Sequence, residues 1–283
     1  MKLARFEAGG RIALGLVVEG GVIDLSRRFP AMPQSMTGLM ADWGAWAGQL
    51  AALEGVDHSL DAVRLLAPVE RPGKVLIQGL NYADHAAEAN MQLPSEQMWI
   101  AKAVTSVNDP FGDVDVPKVS EQLDYEAELV IVIGKRCKHV SRDEAKAAIF
   151  GYCVGNDFSI RDWQFKTGQF LLGKSFDTTA PVGPWIVTAD AIDPHQLPIR
   201  CVVNGEVRQN SNTSHFIFDC FDMVSYLSQA MTLEPGDLLF TGTPDGVGAV
   251  MKPPRWLQPG DVVRSEIEGI GAIENRIAAE AAH

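Results

Sequence analysis

The sequence predicts a mainly β protein with some α-helix, that is, an α+β fold, and three patterns lead to this class. Short runs rich in β-branched residues alternate with glycine, proline and asparagine–glycine turns along most of the chain. Apolar residues at helical spacing occur in only a few short stretches. The regular alternation of strands and helices that a doubly wound parallel sheet requires is not seen.

The length and charge of the chain limit its class and its partners. It has 283 residues, 46% of them hydrophobic, and a net charge of −12, as expected for a globular protein with a substantial core. The acidic balance argues against nucleic acid and membrane partners, because both need a positive surface. Neither an export signal nor an apolar stretch of about 18 residues is present. We therefore expect a cytoplasmic protein whose four scattered cysteines are reduced.

The first part of the chain, residues 1–70, is predicted to be a small α/β module. Glycine pairs separate its β-like runs, and a stretch rich in alanine and tryptophan follows them, with the spacing of a helix. The strands are expected at 3–6, 12–18 and 22–25, and the helix at 39–53. Proline and glycine in residues 67–73 indicate a linker, so residues 71–283 form the second, mainly β domain.

Local signals also place elements in the second domain. Ser141 and Glu144 form a capping box ahead of a short helix that reaches residue 149. The Asn204–Gly205 pair predicts a tight type I′ hairpin. Apolar spacing predicts another helix over 219–230.

An acidic strand is the strongest indication of function. Asp124, Glu126 and Glu128 alternate along a strand that becomes apolar on both faces after Glu128, so its acidic end should lie at the rim of a cavity. Carboxylates about 7 Å apart along such a strand repel each other when desolvated, unless a proton or a cation lies between them. A hard divalent cation satisfies oxygen ligands of this kind. An exposed acidic edge is the alternative.

Further polar residues follow predicted strands. Asp157 comes directly after the apolar run 150–154, where it can be a third metal ligand or a turn cap. His85 and Glu88, three residues apart on a short helix, can pair so that the imidazole acts as a general base on water. An incidental surface ion pair is the alternative.

A second group of residues could bind substrate. Lys174 lies among small and apolar residues and could neutralise a substrate carboxylate or a developing enolate. Arg161 and Gln164 follow Asp157 closely, and an amide such as Gln164 both donates and accepts hydrogen bonds. Residues 241–248, which include Gly242 and Thr243, match neither nucleotide-binding fingerprint. Their amides and hydroxyls could hold a carboxylate or a carbonyl group.

Six ordered segments together resemble the fumarylacetoacetate hydrolase superfamily, in particular its lid-bearing acylpyruvase type, over residues 72–277. They are GLNYADHAAE, DYEAELVIVIGK, GYCVGNDFSIRDWQ, GKSFDTTAPVGP, TGTPDGVG and LQPGDVVRSEIEGIGAIENRI. The resemblance implies a mixed β-sandwich roll, a homodimer, and Mg²⁺ or Mn²⁺, with Ca²⁺ able to substitute in a crystal.

The same resemblance implies roles for individual residues. It implies metal ligation by Glu126, Glu128 and Asp157, water activation by His85 and Glu88 on a segment near residues 83–97 that orders over substrate, polarisation of substrate by Lys174 and Gln164, and substrate binding by Thr243. Position 80 departs from the pattern. Some relatives that cleave short acylpyruvates carry a cation there, whereas this chain has Leu80.

These observations predict a metal-dependent hydrolase that cleaves a C–C bond in a 2,4-dioxo acid, an acylpyruvate or a diketo-deoxy sugar acid, and releases pyruvate. Decarboxylation or tautomerisation of oxaloacetate and hydration of a 2-oxo-alkenoate are alternatives on the same site. A protein that binds the metal for stability alone is a further alternative. It is disfavoured because three carboxylates leave open positions on a cation that prefers about six oxygens.

Overall fold

The computed structural model describes residues 1–88 and 92–281. The predicted mobile segment near residues 83–97 therefore lies partly outside the described residues. Strand makes up 36% of the structure and helix 24%, so the predicted mainly β class with some helix is confirmed.

The described residues form 18 strands. In chain order they are β1 (Lys2–Ala8), β2 (Arg11–Val18), β3 (Gly21–Asp24), β4 (Arg64–Leu66), β5 (Val75–Gly79), β6 (Met98–Lys102), β7 (Val107–Asn108), β8 (Val114–Val116), β9 (Leu123–Asp124), β10 (Ala127–Ile133), β11 (Ile149–Asn156), β12 (Ser159–Ile160), β13 (Ala180–Thr188), β14 (Pro198–Val203), β15 (Glu206–Asn212), β16 (Leu238–Phe240), β17 (Val262–Ile267) and β18 (Gly271–Ala279).

The helices are short, and most of the described ones have four to nine residues. They are α1 (Leu25–Arg28), α2 (Met36–Ala41), α3 (Trp43–Ala51), α4 (Ala83–Glu88), α5 (Arg142–Ala148), α6 (Arg161–Gln164), α7 (Leu171–Lys174) and α8 (Cys220–Ala230). The capping box at Ser141 is present, and Asp219 caps α8 by accepting from two backbone amides.

The single helix predicted over 39–53 is wrong, because two helices meet there. Asp42 leaves the helical conformation between α2 and α3, with φ −107° and ψ 18°. Its carboxylate accepts a hydrogen bond from the indole of Trp46 at 3.0 Å. An aspartate is a poor interior helix residue because its side chain competes for local hydrogen bonds.

The largest sheet runs β3-β2-β1-β13-β11-β10-β16-β5-β6, with β4 on β1 and β7 on β13. The strands of the predicted N-terminal module thus join the main sheet through the pairing of β1 with β13. A second sheet has the order β15-β14-β17-β18-β8, and β9 pairs with β12. The predicted Asn204–Gly205 hairpin joins β14 to β15, with φ of 52° and 80° at its two central residues.

Strand β10 is buried on both faces, which explains its continuous apolar sequence. Leu129 and Ile131 pack into a core shared with the second sheet. Val130 and Val132 pack into a second core that includes residues of the first 70. The two cores fix β10 against its neighbour β11, and the acidic ends of this pair lie together at one edge.

Candidate metal and active site

Three acidic residues meet at the end of the β10–β11 pair. Glu126 directly precedes β10, Glu128 is its second residue, and Asp157 directly follows β11. The amide of Asp157 donates to the carbonyl of Glu126 at 2.8 Å, which fixes the two residues side by side. One carboxylate oxygen from each residue lies within 4.8 Å of the others, and all three residues are buried. The structure thus brings together the three predicted metal ligands.

Two buried lysines contact this cluster. Nζ of Lys174, at the end of α7, donates to Glu126 Oε2 at 2.7 Å and to Asp157 Oδ2 at 2.6 Å. Nζ of Lys102, the last residue of β6, contacts the other oxygen of Asp157 and donates to two backbone carbonyls. Burial lowers the pKa of Lys102. Burial acts the same way on Lys174, but Asp157 and Glu126 outweigh it and raise the pKa of this ammonium.

The third cation is Arg161, the first residue of α6. Its guanidinium lies 2.7 Å from Glu126 Oε1. Glu128 has no such cation among the described residues. Its Oε2 instead accepts the backbone amide of Gly242 at 2.6 Å. The cluster is therefore well neutralised at Glu126 and poorly neutralised at Glu128.

This uneven distribution shifts the pKa values of the two glutamates in opposite directions. Burial opposes the ionisation of Glu126, but Lys174 and Arg161 outweigh it and hold the pKa of Glu126 well below its ordinary value. Burial raises the pKa of Glu128, and the carboxylates of Asp157 and Glu126 raise it further. A proton or a bound cation is needed to keep Glu128 in this position.

Glu126 and Glu128 of the cluster line a cavity of about 310 Å³. Glu126, Glu128, Lys174, Arg161 and Gln164 supply polar groups to it. Most of the remaining wall is apolar, with Ile77, Leu80, Met98, Ile100, Phe165, Phe170, Val247, Ala249 and Val250. A cavity with apolar walls and a few convergent polar groups is typical of a small-molecule site.

Lys174 is fully engaged with protein groups. An ammonium has three hydrogens, and those of Lys174 meet Glu126, Asp157 and the hydroxyl of Ser159, the last at 2.7 Å. To contact a substrate, as predicted, Lys174 must give up one of these bonds. In this structure it holds two of the three acidic residues in place.

The contact with Arg161 determines the orientation of the Gln164 side-chain amide. Its Oε1 accepts from the guanidinium of Arg161 at 2.9 Å, and a guanidinium can only donate. The amide nitrogen of Gln164 therefore points away from Arg161. Because this nitrogen has no acceptor among the described residues and the side chain lines the cavity, it is a donor available to a ligand.

Gly242 and Thr243 line the same cavity, but both are hydrogen-bonded to β10. The amide of Gly242 holds Glu128, and the hydroxyl of Thr243 donates to the carbonyl of Ala127 at 3.0 Å. This hydroxyl also accepts from Gln209 at 2.8 Å. The loop thus supports the acidic cluster through the groups that were predicted to bind substrate.

His85 and Glu88 lie on α4, and His85 lines the cavity. Nδ1 of His85 is 3.5 Å from Oε2 of Glu88, an ion-pair distance. It has no hydrogen-bond partner within the described ranges. Glu88 is itself held by the amide of Gly246 at 3.1 Å. The two predicted residues therefore lie together, with His85 at the cavity wall, and their contact is looser than a hydrogen bond.

Asp124 lies outside the set of three converging carboxylates, and one nitrogen of Arg161 bridges it to Glu126. The chain leaves the strand ladder after β9, where the amide of Glu126 donates to the Asn156 side chain at 2.9 Å. Asp124 is fully buried and binds Arg161 at 2.8 Å. It also accepts from the amides of Gly248 and Ala249. Its role is to orient Arg161 and the 248–249 loop.

Sequence reasoning missed two residues, Lys102 and Gln209. Lys102 sits at the end of a partly exposed strand, β6, and its sequence neighbours give no sign of burial. Gln209 is buried on β15 and accepts from the amide of Ala127, between the two glutamates, at 3.0 Å. Only the pairing of distant strands reveals either contact.

A family model described as the C-terminal domain of fumarylacetoacetate hydrolase matches residues 74–278. The chain belongs to the fumarylacetoacetate hydrolase family. The predicted family and its fold are confirmed by solved relatives. The fumarylacetoacetate hydrolase of Exiguobacterium antarcticum has a TM-score of 0.86 and 37% identity, with 99% of this chain and all of that one covered.

Other family members differ in the activities that their names give. The oxaloacetate tautomerase Fahd2a, mitochondrial, of Rattus norvegicus is 42% identical over 98% of this chain and 91% of its own length. A maleylpyruvate hydrolase from Sphingobium, solved with manganese(II) and pyruvate, has a TM-score of 0.84 and 33% identity, covering 99% of this chain and all of that one. The cytoplasmic location expected from the sequence stays a prediction, since the first relative is named as mitochondrial.

None of the described helices is both long and apolar enough to span a membrane.

The donor set of this family member fits a hard divalent cation. The three ligand atoms are carboxylate oxygens, which Mg²⁺ and Mn²⁺ prefer. Four buried carboxylates, Asp124 included, face the three buried cations Lys102, Lys174 and Arg161, so one negative charge is left over. This excess of negative charge at Glu128 favours the binding of a cation there.

We predict that Mg²⁺ binding is coupled to the release of protons from Glu128. Because the pKa of Glu128 is raised, its carboxyl group must lose a proton to bind the cation, so affinity should rise as the pH rises. Calorimetry in Tris and in PIPES, which differ in ionisation enthalpy, measures the protons released.

The matched variants are Glu128→Gln and Glu121→Gln, since Glu121 is exposed. Glu128→Gln should lose both the proton release and most of the affinity while remaining folded by circular dichroism. Unchanged binding in Glu128→Gln would contradict the assignment of this ligand.

Proposed function

We propose that the chain is a divalent-metal-dependent enzyme that interconverts the enol and keto forms of a 2-oxo acid, with oxaloacetate as the first candidate substrate. One observation carries this proposal. Glu126 and Glu128, two members of a desolvated cluster completed by Asp157, line the cavity that His85 also lines. The 41–42% identity to oxaloacetate tautomerases over 98% of the chain supports the choice of substrate.

The metal would be held by the three carboxylates, with Mg²⁺ or Mn²⁺ as candidates. When bound, it supplies a Lewis acid that polarises the 2-oxo group and makes the hydrogens at C3 more acidic. The protein's own groups then have two tasks: to orient the 2-oxo acid and to move the proton at C3.

His85 is the group assigned to the C3 proton. When the enol becomes the keto form, the imidazolium of His85 delivers a proton to C3 and the 2-hydroxyl group gives its proton to water. In the reverse direction, the neutral imidazole removes a proton from C3. Glu88, 3.5 Å away, stabilises the imidazolium. The free amide nitrogen of Gln164 donates to an oxygen of the substrate, and Arg161 keeps that amide correctly oriented.

Hydrolysis of an acylpyruvate or related 2,4-dioxo acid is the second candidate, and the cavity wall favours it. The wall is largely apolar, Leu80 included, and its cations Arg161 and Lys174 are already paired with carboxylates. A neutral distal group suits this wall better than the second carboxylate of oxaloacetate. In this reaction His85 would take a proton from water, which adds to the 4-carbonyl. The C3–C4 bond then breaks, and C3 keeps the electron pair and takes up a proton.

Substituting the histidine tests both candidates. His85→Ala should lower kcat by roughly 100-fold for a lost acid–base group, with Mg²⁺ affinity unchanged. Glu88→Gln should also lower kcat, and the double variant should be little worse than His85→Ala because the pair acts as a unit. The assays are loss of the enol absorbance of oxaloacetate, corrected for the uncatalysed rate, and pyruvate release from an acylpyruvate panel.

The panel also separates the two candidates. Faster turnover of oxaloacetate enol than of any acylpyruvate supports the tautomerase, and the reverse supports the hydrolase. Full activity of His85→Ala on every substrate would remove the pair from the mechanism.

We also propose a homodimer, which the family resemblance implies. Exposed apolar side chains at Phe165, Leu171 and Leu172, close to the cavity, supply surface that association would bury. Sedimentation should give about twice the chain mass of 30.7 kDa at micromolar concentration. A single species at the chain mass would contradict the proposal.

A further inference from the structure

Helix α4, which carries His85 and Glu88, is too short to hold its own position. It has six described residues, and helices of this length are unstable alone in water. Its placement must come from anchors outside the helix. Before the helix, Asn81 accepts from the amide of Phe218 at 2.8 Å and donates to the carbonyl of Thr241 at 2.8 Å. At its last turn, Glu88 accepts from Gly246.

A third anchor lies beside His85 itself. The carboxylate of Asp84 accepts the hydroxyl of Ser211 at 2.6 Å and lies 3.3 Å from Nδ1 of His215. The same Nδ1 is 3.1 Å from the Ser211 hydroxyl. The Ser211 hydroxyl donates its only proton to Asp84. Nδ1 of His215 must therefore carry a hydrogen and be the donor in its contact with the Ser211 hydroxyl. Two donors therefore converge on the residue next to His85.

The strand that bears Ser211 also supports the acidic cluster. Ser211 and Gln209 are two residues apart on β15 and share one face. Gln209 accepts from the amide of Ala127, between Glu126 and Glu128, and donates to the carbonyl of Pro244 at 2.9 Å. The same face of β15 thus contacts β10 through Gln209 and α4 through Ser211.

We propose that Asp84, Ser211 and His215 form a positioning set that fixes α4 on β15 and so holds His85 at a set distance from the metal ligands. The contact between His85 and Glu88 is too loose to orient the imidazole, and Glu88 is bonded to a different loop. The anchor at Asp84 supplies the missing constraint. The proposal rests on the proposed function, because it concerns the placement of His85 for proton transfer.

Variants of Ser211 in the full chain with Mg²⁺ test it. Ser211→Ala removes one anchor, and Ser211→Thr keeps the hydroxyl. Ser214→Ala is the matched control, because Ser214 is exposed in the turn that directly follows β15 and its hydroxyl has no bond within the described residues. For each variant, the measurements are kcat, KM, Mg²⁺ affinity, Tm and amide hydrogen exchange in residues 83–88.

We expect Ser211→Ala to lower kcat by about 10-fold, as for a slightly misplaced catalytic group, with KM, Mg²⁺ affinity and Tm nearly unchanged. Exchange in residues 83–88 should rise by at least about 5-fold. Ser211→Thr should recover most of the activity, and Ser211→Ala should cost nothing further in a His85→Ala background.

Two results would overturn the positioning set. Unchanged exchange in Ser211→Ala would show that the contact does not anchor α4. Faster exchange with a wild-type kcat, while His85→Ala is impaired, would show that the anchor does not serve catalysis, and the proposed function would stand. Full activity of His85→Ala instead contradicts the proposed function, and the exchange measurement still reports on the anchor.

Discussion

Repulsion among three buried carboxylates is the constraint to which the rest of the site responds. Glu126, Glu128 and Asp157 place oxygens within 4.8 Å of one another, away from bulk water, where like charges interact strongly. Removing a charge from water costs several kcal/mol unless it is paired. The fold therefore brings cations to the cluster from distant parts of the chain and leaves Glu128 without one. That residual charge both calls for a metal ion and marks where it should bind.

The second sheet gives this cluster a fixed relation to the rest of the cavity. Through Ser211 on β15 it also holds α4, a helix too short to be stable alone. Gln209 on β15 is hydrogen-bonded to Ala127, Thr243 and Pro244, while Asn81 holds the start of α4 against Phe218 and Thr241. Fully satisfied buried polar groups specify a unique arrangement more sharply than apolar packing does.

The sequence predicted features that depend on local chemistry. The Asn204–Gly205 hairpin and the capping box at Ser141 follow from interactions between residues close in the chain. The apolar run of β10 predicted its burial but not which elements cover it. The break between α2 and α3 at Asp42 was missed, because the apolar spacing continues across it. Alternation placed Asp124 beside Glu126 but could not show that Arg161 bridges the two carboxylates.

The sequence predicted the site residues that lie at the ends of apolar strands. Glu128 lies near the start of β10, and Asp157 follows the last residue of β11. Lys102 was not predicted, because it reaches Asp157 from a strand 55 residues earlier and only tertiary pairing buries it. The engagement of Lys174, Gly242 and Thr243 with protein groups could not be foreseen either. Residue types show which groups can bind a substrate, but only the hydrogen-bond geometry shows which of them are free.

Crystallography with Mn²⁺ and oxalate, a 2-oxo acid mimic that cannot enolise, tests the central claim most directly. We expect one anomalous peak within coordination distance of an oxygen of each of Glu126, Glu128 and Asp157, with oxalate on the side of the cavity that His85 lines. Manganese absent from the cluster, or bound there with no position left for oxalate, would contradict it.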